Sequence, residues 1–303
     1  MEHDTSSFLC GCATYLDLIF CVKELAESKD GMAFTFFTLD GEDWERDGTT
    51  FNWPPVAVAS IKPEGGDRIL LSVGPHGDYY ECIYNSITGA ATQNVGVISS
   101  ERTFLARNLA IVEETMFAVG MGRVVARWDG PGTWTHLNPT AAFPEGKACG
   151  FSDLAGPSLK EMYAVGWLGE IWYMEDGVWR QIDSPLSEHL RAACTLPDGS
   201  IFAVGYNGAM VRGRHDTWTV VDSGRPETLL DVCCFDGKVF VATAFQILIL
   251  DESGLVPVTE FEDPEDMPAT CGGLYLTHDG EGIISMGPKD LFRMRDGVWE
   301  RLV

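Results

Sequence analysis

Met162-Tyr163-Ala164-Val165-Gly166-Trp167-Leu168-Gly169-Glu170-Ile171-Trp172-Tyr173-Met174-Glu175-Asp176-Gly177-Val178-Trp179-Arg180-Gln181-Ile182-Asp183 is the stretch that decides the fold. It reads as three short strands, 162–165, 170–174 and 179–183, with turns at Gly166–Gly169 and Asp176-Gly177. Asp-Gly between apolar runs is a strong hairpin signal, because glycine accepts the positive φ of a tight turn.

The stretch is repeated. Its opening phrase returns as Met116-Phe117-Ala118-Val119-Gly120 and Ile201-Phe202-Ala203-Val204-Gly205. Weaker copies are Ile69–Gly74, Val239–Thr243 and Ile283–Gly287. Each is followed by a short strand, a turn and then usually a tryptophan: Trp134, Trp179, Trp218 and Trp299, with Leu255 standing in once. From Phe117 the next copies follow after 46, 39, 38 and 44 residues. A period near 40 with four short strands per unit is the pattern of a β-propeller blade.

Six copies are visible from about residue 60, and Asp40-Gly41-Glu42-Asp43-Trp44 supplies the turn and tryptophan of a degenerate first one, with strands expected at Thr14–Val22 and Met32–Thr38. The reading is an all-β propeller of seven four-stranded blades, with six as the fallback. The expected blades are 1–60, 61–103, 104–146, 147–190, 191–228, 229–267 and 268–303 in one domain. Innermost strands are expected at Ala148–Phe151, Ala192–Leu196, Leu230–Phe235 and Thr270–Leu274. The ring would close between first and last blades, either edge to edge or with an N-terminal strand completing the last. The repeated tryptophans are expected to pack between blades.

The phrase Ala-Val-Gly-x-x-Gly followed by Trp resembles the repeats of sialidase-type and photosystem-assembly-type propellers. Intact Asp-boxes are missing: in Thr38–Trp44 the Asp-to-Trp spacing is one residue short and the second glycine is absent. The resemblance implies a fold, and a family only weakly.

Composition narrows the function. Among 303 residues, 45 acidic ones face 21 basic ones, a net charge of −24. Nucleic-acid phosphates and anionic membranes are repelled by such a chain, whereas basic proteins are drawn to it. Solubility alone is the bland account of the same charge. The acidic start Met1-Glu2-His3-Asp4 lacks the basic region of a signal peptide, and no apolar run approaches the roughly 20 residues of a membrane helix. Nine cysteines without a Cys-x-x-Cys pair fit a reduced, cytoplasmic protein.

Chemistry is sparse. Cys149, Cys194, Cys233 and Cys271 fall at matching places in four units, and are read as small buried residues rather than metal ligands. His3, His76, His136, His189, His215 and His278 lie at unrelated positions, mostly beside turns. No hydrolase elbow, zinc-protease or phosphate-loop motif is present. Arg102, Arg107, Arg123, Arg127, Arg191, Arg212, Arg214 and Arg225 look scattered. No catalytic residue, metal or cofactor is assigned.

A binding surface is expected where the loops between strands two and three open with the blade-to-blade loops, by analogy with other propellers. Three adjacent blades carry large aromatics there, in Trp167-Leu168, Tyr206-Asn207 and Phe245-Gln246. Together they would form an exposed patch; the alternative is that each ring folds over the next blade. Glu262, Asp263, Glu265 and Asp266 form the densest acidic run, and Glu145, Glu188 and Glu227 sit in comparable loops. A solvated loop is the default for such a run, and an acidic rim around aromatic anchors is the alternative. The expected function is a non-catalytic, protein-binding propeller, monomeric when free, that takes a basic partner. One concrete form is an inhibitor or immunity protein that neutralises a toxin such as a nuclease. A propeller enzyme or a glycan-binding lectin with a site in the central funnel is the alternative.

Overall fold

The computed structural model describes residues 7–28, 31–99, 104–140 and 148–303. Glu145, Arg102 and His3 lie outside these residues. The strands form seven antiparallel sheets of four, spanning 8–51, 57–97, 105–136, 151–182, 190–220, 231–257 and 273–301. Within each sheet the strands lie in chain order. First strands pack against first strands around the whole ring, so the first strand of every blade is innermost. The molecule is a seven-bladed β-propeller. No helix of the described residues is long and apolar enough to cross a membrane.

The ring closes between the first strand of blade one, Phe8–Tyr15, and blade seven. Phe8 N–H donates to Pro288 O at 2.9 Å, and His278 N–H donates to Thr14 O at 3.0 Å. Blade seven uses four strands of its own, so no N-terminal strand completes it among the described residues.

Each repeated residue answers a constraint of this ring. The fourth-strand aromatics pack on the preceding blade: Trp134 lies 5.7 Å from Tyr79, Trp218 lies 5.8 Å from Tyr163, and Trp299 lies 6.3 Å from Phe240. Trp179 stacks on Phe151 of its own blade and donates Nε1–H to Leu137 O of the blade before. Leu255, the stand-in, belongs to the core between blades five and six. The glycine of the Ala-Val-Gly phrase has a different cause. Its backbone is extended, at φ −178° for Gly166 and −173° for Gly205, so no left-handed conformation demands glycine. Space does. A Cβ would sit 2.2 Å from Leu105 O at Gly120, 2.0 Å from Gly150 O at Gly166 and 1.9 Å from His189 O at Gly205. The chain entering each inner strand crosses there, backbone against backbone. Asp176-Gly177 is a true positive-φ pair, at 48° and 85°.

Several expected boundaries move. Thr14–Val22 is not one strand, because a turn at Leu16-Asp17 separates Phe8–Tyr15 from Leu18–Ser28. Ala57–Ile61 is the inner strand of blade two, which therefore begins ahead of residue 61. The inner strand of blade four is Phe151–Ser158 and that of blade seven Gly273–Leu276, later than expected. The cysteines consequently do not match. Cys194 and Cys233 pair with the equivalent Phe202 and Phe240, whereas Cys149 and Cys271 precede their strands. Ala155 and Tyr275 hold the corresponding places in blades four and seven. All nine cysteines are free, and burial pushes Cys10 up to about 12.

Candidate functional site

Two of the aromatic loops are rigid copies of one another. Trp167–Gly169 and Tyr206–Gly208 are single 3-10 turns with Leu168 at φ 58° and Asn207 at φ 55°. Trp167 N–H donates to Gly150 O at 3.0 Å and Tyr206 N–H to His189 O at 2.9 Å. Glu170 N–H and Ala209 N–H close the turns onto Trp167 O and Tyr206 O. The aromatic side chains thus project from fixed backbone, and little ordering is left for a binding event.

Trp167 and Tyr206 are joined by a residue that the sequence did not single out. His189 lies in the loop between blades four and five, with its ring centroid 4.8 Å from Trp167 and 4.7 Å from Tyr206. Ser152 Oγ is 2.6 Å from His189 Nε2. Burial, then the charges of Arg191 and Arg107, hold the imidazole down to about 4, so it is neutral near pH 7. The Trp–His–Tyr row is continuous across two blades. Trp167 leans on the next blade, as the fold-over alternative has it, yet Leu168 beside it is 47% exposed and Tyr206 40%.

Phe245 stands apart. It is 69% exposed, and its loop is built on Thr243, whose Oγ1 accepts the N–H of Phe245 and Gln246. Gln246 Oε1 accepts from Arg225, which also pairs with Glu227 at 2.8 Å. On blade three the equivalent loop turns inward: Arg123 is buried against Glu170, 3.0 Å from Nε to Oε2, and lies over Trp172.

The acidic run follows the outer edge of blade seven. Glu262 N–H donates to Trp299 O at 2.8 Å, and Phe261 packs 5.8 Å from Phe292. Asp266 is bound to Arg301. Glu262, Asp263 and Glu265 are exposed. The segment then returns beside Phe245, where Cys271 N–H donates to Ala244 O.

The central channel encloses about 510 Å³ and is lined from all seven blades. Buried Asp153 and half-buried Asp231 bind mainly backbone. Asp153 accepts from Leu154 N–H, Ala193 N–H and Asn108 Nδ2, and Asp231 from Val232 N–H and Leu274 N–H. These contacts stitch inner strands of successive blades. Among the described residues no group of three or more His, Cys, Asp or Glu is arranged to hold a metal ion.

Burial pushes Asp153 up to about 6 and Asp231 up to about 7, against 3.8 for a free aspartate. The native state takes these protons before the unfolded chain does. Their stabilising effect is present below about pH 4 and is lost as the pH rises through about 6 to 7. His189 acts oppositely: its folded value lies below 6.5, so stability is lost as the pH falls from about 6.5 to about 4. On going from about pH 8 to about pH 5.5, wild-type melting should rise by roughly 2–4 °C more than that of Asp231→Asn. Parallel thermal melts at the two pH values measure the difference, and equal responses would refute it.

No family model matches the chain. It is 32% identical over 200 residues to the immune protein Tsi7 of Pseudomonas aeruginosa, a match over 65% of this chain. The chain spans 63% of the length of that curated relative. Among solved structures, the WD40 propeller domain of Doa1 superposes with a TM-score of 0.66 at 12% identity, over 97% of this chain and 93% of that one. YCF48 bound to D1 peptide gives 0.64 at 16%, over 96% and 92%. Chaetomium thermophilum Sqt1, bound to the N-terminus of ribosomal protein L10, gives 0.66 at 12%, over 97% and 86%. At these identities the solved structures speak for the fold alone: this chain is similar to β-propellers along nearly its whole length.

Proposed function

We propose that this chain is a non-catalytic immunity protein that covers a protein toxin with the loops of blades four to six. The similarity to an immune protein, 32% over 200 residues, carries the reading. The geometry supplies a suitable surface: fixed aromatic anchors, exposed Leu168 and Phe245, and exposed carboxylates at Glu262, Asp263 and Glu265. Rigid aromatics surrounded by charge give affinity and fast encounter. With a net charge of −24, the fitting partner is basic, and a toxin acting on nucleic acid is one such protein. The binding takes place in the cytoplasm of the producing cell, by one propeller monomer.

Immobilised wild-type protein should capture a basic protein from the source organism. Trp167→Ala with Tyr206→Ala should weaken that capture by about 100-fold, since central aromatics dominate such interfaces. Calorimetry on the captured pair measures the loss. A partner set with no basic protein, or unchanged affinity in the double variant, would count against the proposal.

A further inference from the structure

The inner strands of blades three, four and five each carry a one-residue bulge at the same place. The ladder skips from Ala106 to Asn108, from Phe151 to Asp153, and from Leu190 to Ala192. The skipped residues are Arg107, Ser152 and Arg191. These three strands are neighbours in the ring, so the three residues occupy one sector of the channel rim. The bulge recurs in blade one, where the skipped residue is the apolar Leu9.

His189 sits at the centre of this sector. Ser152 Oγ is 2.6 Å from its Nε2, and Arg107 and Arg191 are both near enough for their charges to act on its ring. In either tautomer the Ser–His pair keeps one hydrogen to offer. Nδ1–H remains if Nε2 accepts from the hydroxyl, and the hydroxyl hydrogen remains if Nε2–H donates to it. Both arginines are exposed, and neither forms a salt bridge among the described residues; Arg191 Nε–H donates to Leu230 O at 3.4 Å, and its charge acts on Asp231. Arg123, Arg180, Arg214 and Arg301, by contrast, each hold a carboxylate. Two exposed cations with no salt bridge among the described residues attract an anion locally, in a protein of net charge −24.

We propose that Arg107, Ser152, His189 and Arg191 form a carboxylate subsite on the channel rim, beside Trp167 and Tyr206, that receives an aspartate or glutamate side chain of the bound protein. The inference rests on the protein-binding reading above. Planar guanidinium groups match a carboxylate, and the neutral Ser–His pair adds a donor without adding charge. A polyanion is disfavoured, because the chain's net charge of −24 repels its remaining charges. A side chain is favoured over a chain end, because the aromatic row continues past the subsite and calls for partner surface on its far side. One buried charge pair within a largely acid-to-base interface would fix the register of the two proteins.

The probe is N-acetylglutamate N-methylamide, followed by NMR at the Trp167 indole and the Arg191 Nε–H. It should give saturable shifts that are absent with the glutamine analogue and absent in Arg107→Gln with Arg191→Gln. N-acetylglycine, which offers a chain-end carboxylate, should act more weakly. Equal shifts from the neutral analogue, unchanged shifts in the double variant, or a stronger response to N-acetylglycine would overturn the assignment. On the captured partner, the double variant should cost about tenfold in affinity. Unchanged affinity there, with capture itself intact, overturns the subsite and leaves the protein-binding reading standing. Failure of capture with the glutamate probe still bound does the reverse.

Discussion

Gly205→Ala is expected to destabilise the propeller by about 3 kcal/mol or more and to disable the binding face as well. The new Cβ would lie 1.9 Å from His189 O and 2.9 Å from Leu190 Cα. Those are backbone atoms, held by the bond from Tyr206 N–H to His189 O, so no rotamer change relieves the overlap. Either strand two of blade five bends or the segment 189–190 moves outward. Movement outward carries His189 away from Trp167 and Tyr206 and breaks the row. Chemical denaturation measures the stability and His189 ring shifts measure the displacement. Gly272→Ala is the control: its Cβ meets only Met286 O at 3.4 Å, an ordinary contact, and its cost should stay within about 1 kcal/mol. Equal costs at the two positions would refute the account of the repeated glycine.

Trp299→Ala is expected to cost about 3–5 kcal/mol. The ring is 1% exposed and fills the space between blades six and seven against Phe240. Removing it leaves a cavity that two β-sheets cannot collapse to fill. The same residue anchors the acidic loop through its backbone: Trp299 N–H donates to Glu260 O and Trp299 O accepts from Glu262 N–H. Loss of the ring therefore loosens 260–266 too, which amide exchange on that segment would show. Trp179→Ala should cost less, because that ring is only partly buried. The opposite ranking in denaturation midpoints would contradict the packing described.

These two residues explain why the fold was readable. Trp299 and Gly205 have counterparts in most blades because those blades fill the same gap and let the same backbone cross, although blade six has Leu255 and Thr243 in their places. Blade one was harder. Its first hairpin turns at Leu16-Asp17 without a glycine, and the run 14–22 looked continuous. The candidate site was legible only where it departs from the repeat. Trp167, Tyr206 and Phe245 stand out because the corresponding loops on other blades lack aromatics. His189 carried no such signal: it lies in a connecting loop and meets Trp167 only because the ring stacks blade five on blade four. Arg107 and Arg191 looked unrelated because a bulge shifts the count by one residue, and a bulge is a property of strand pairing. Asp266 looked like part of a free acidic run, although Arg301 of the last strand binds it.

Hydrogen exchange on the propeller with its captured partner tests the central claim most directly. The account predicts new protection at 167–170, 189–191, 206–209 and 243–246, which would place the partner on the loops of blades four to six. Protection confined to the opposite face, in the turns at 62–67, 113–114 and 196–200, would contradict it.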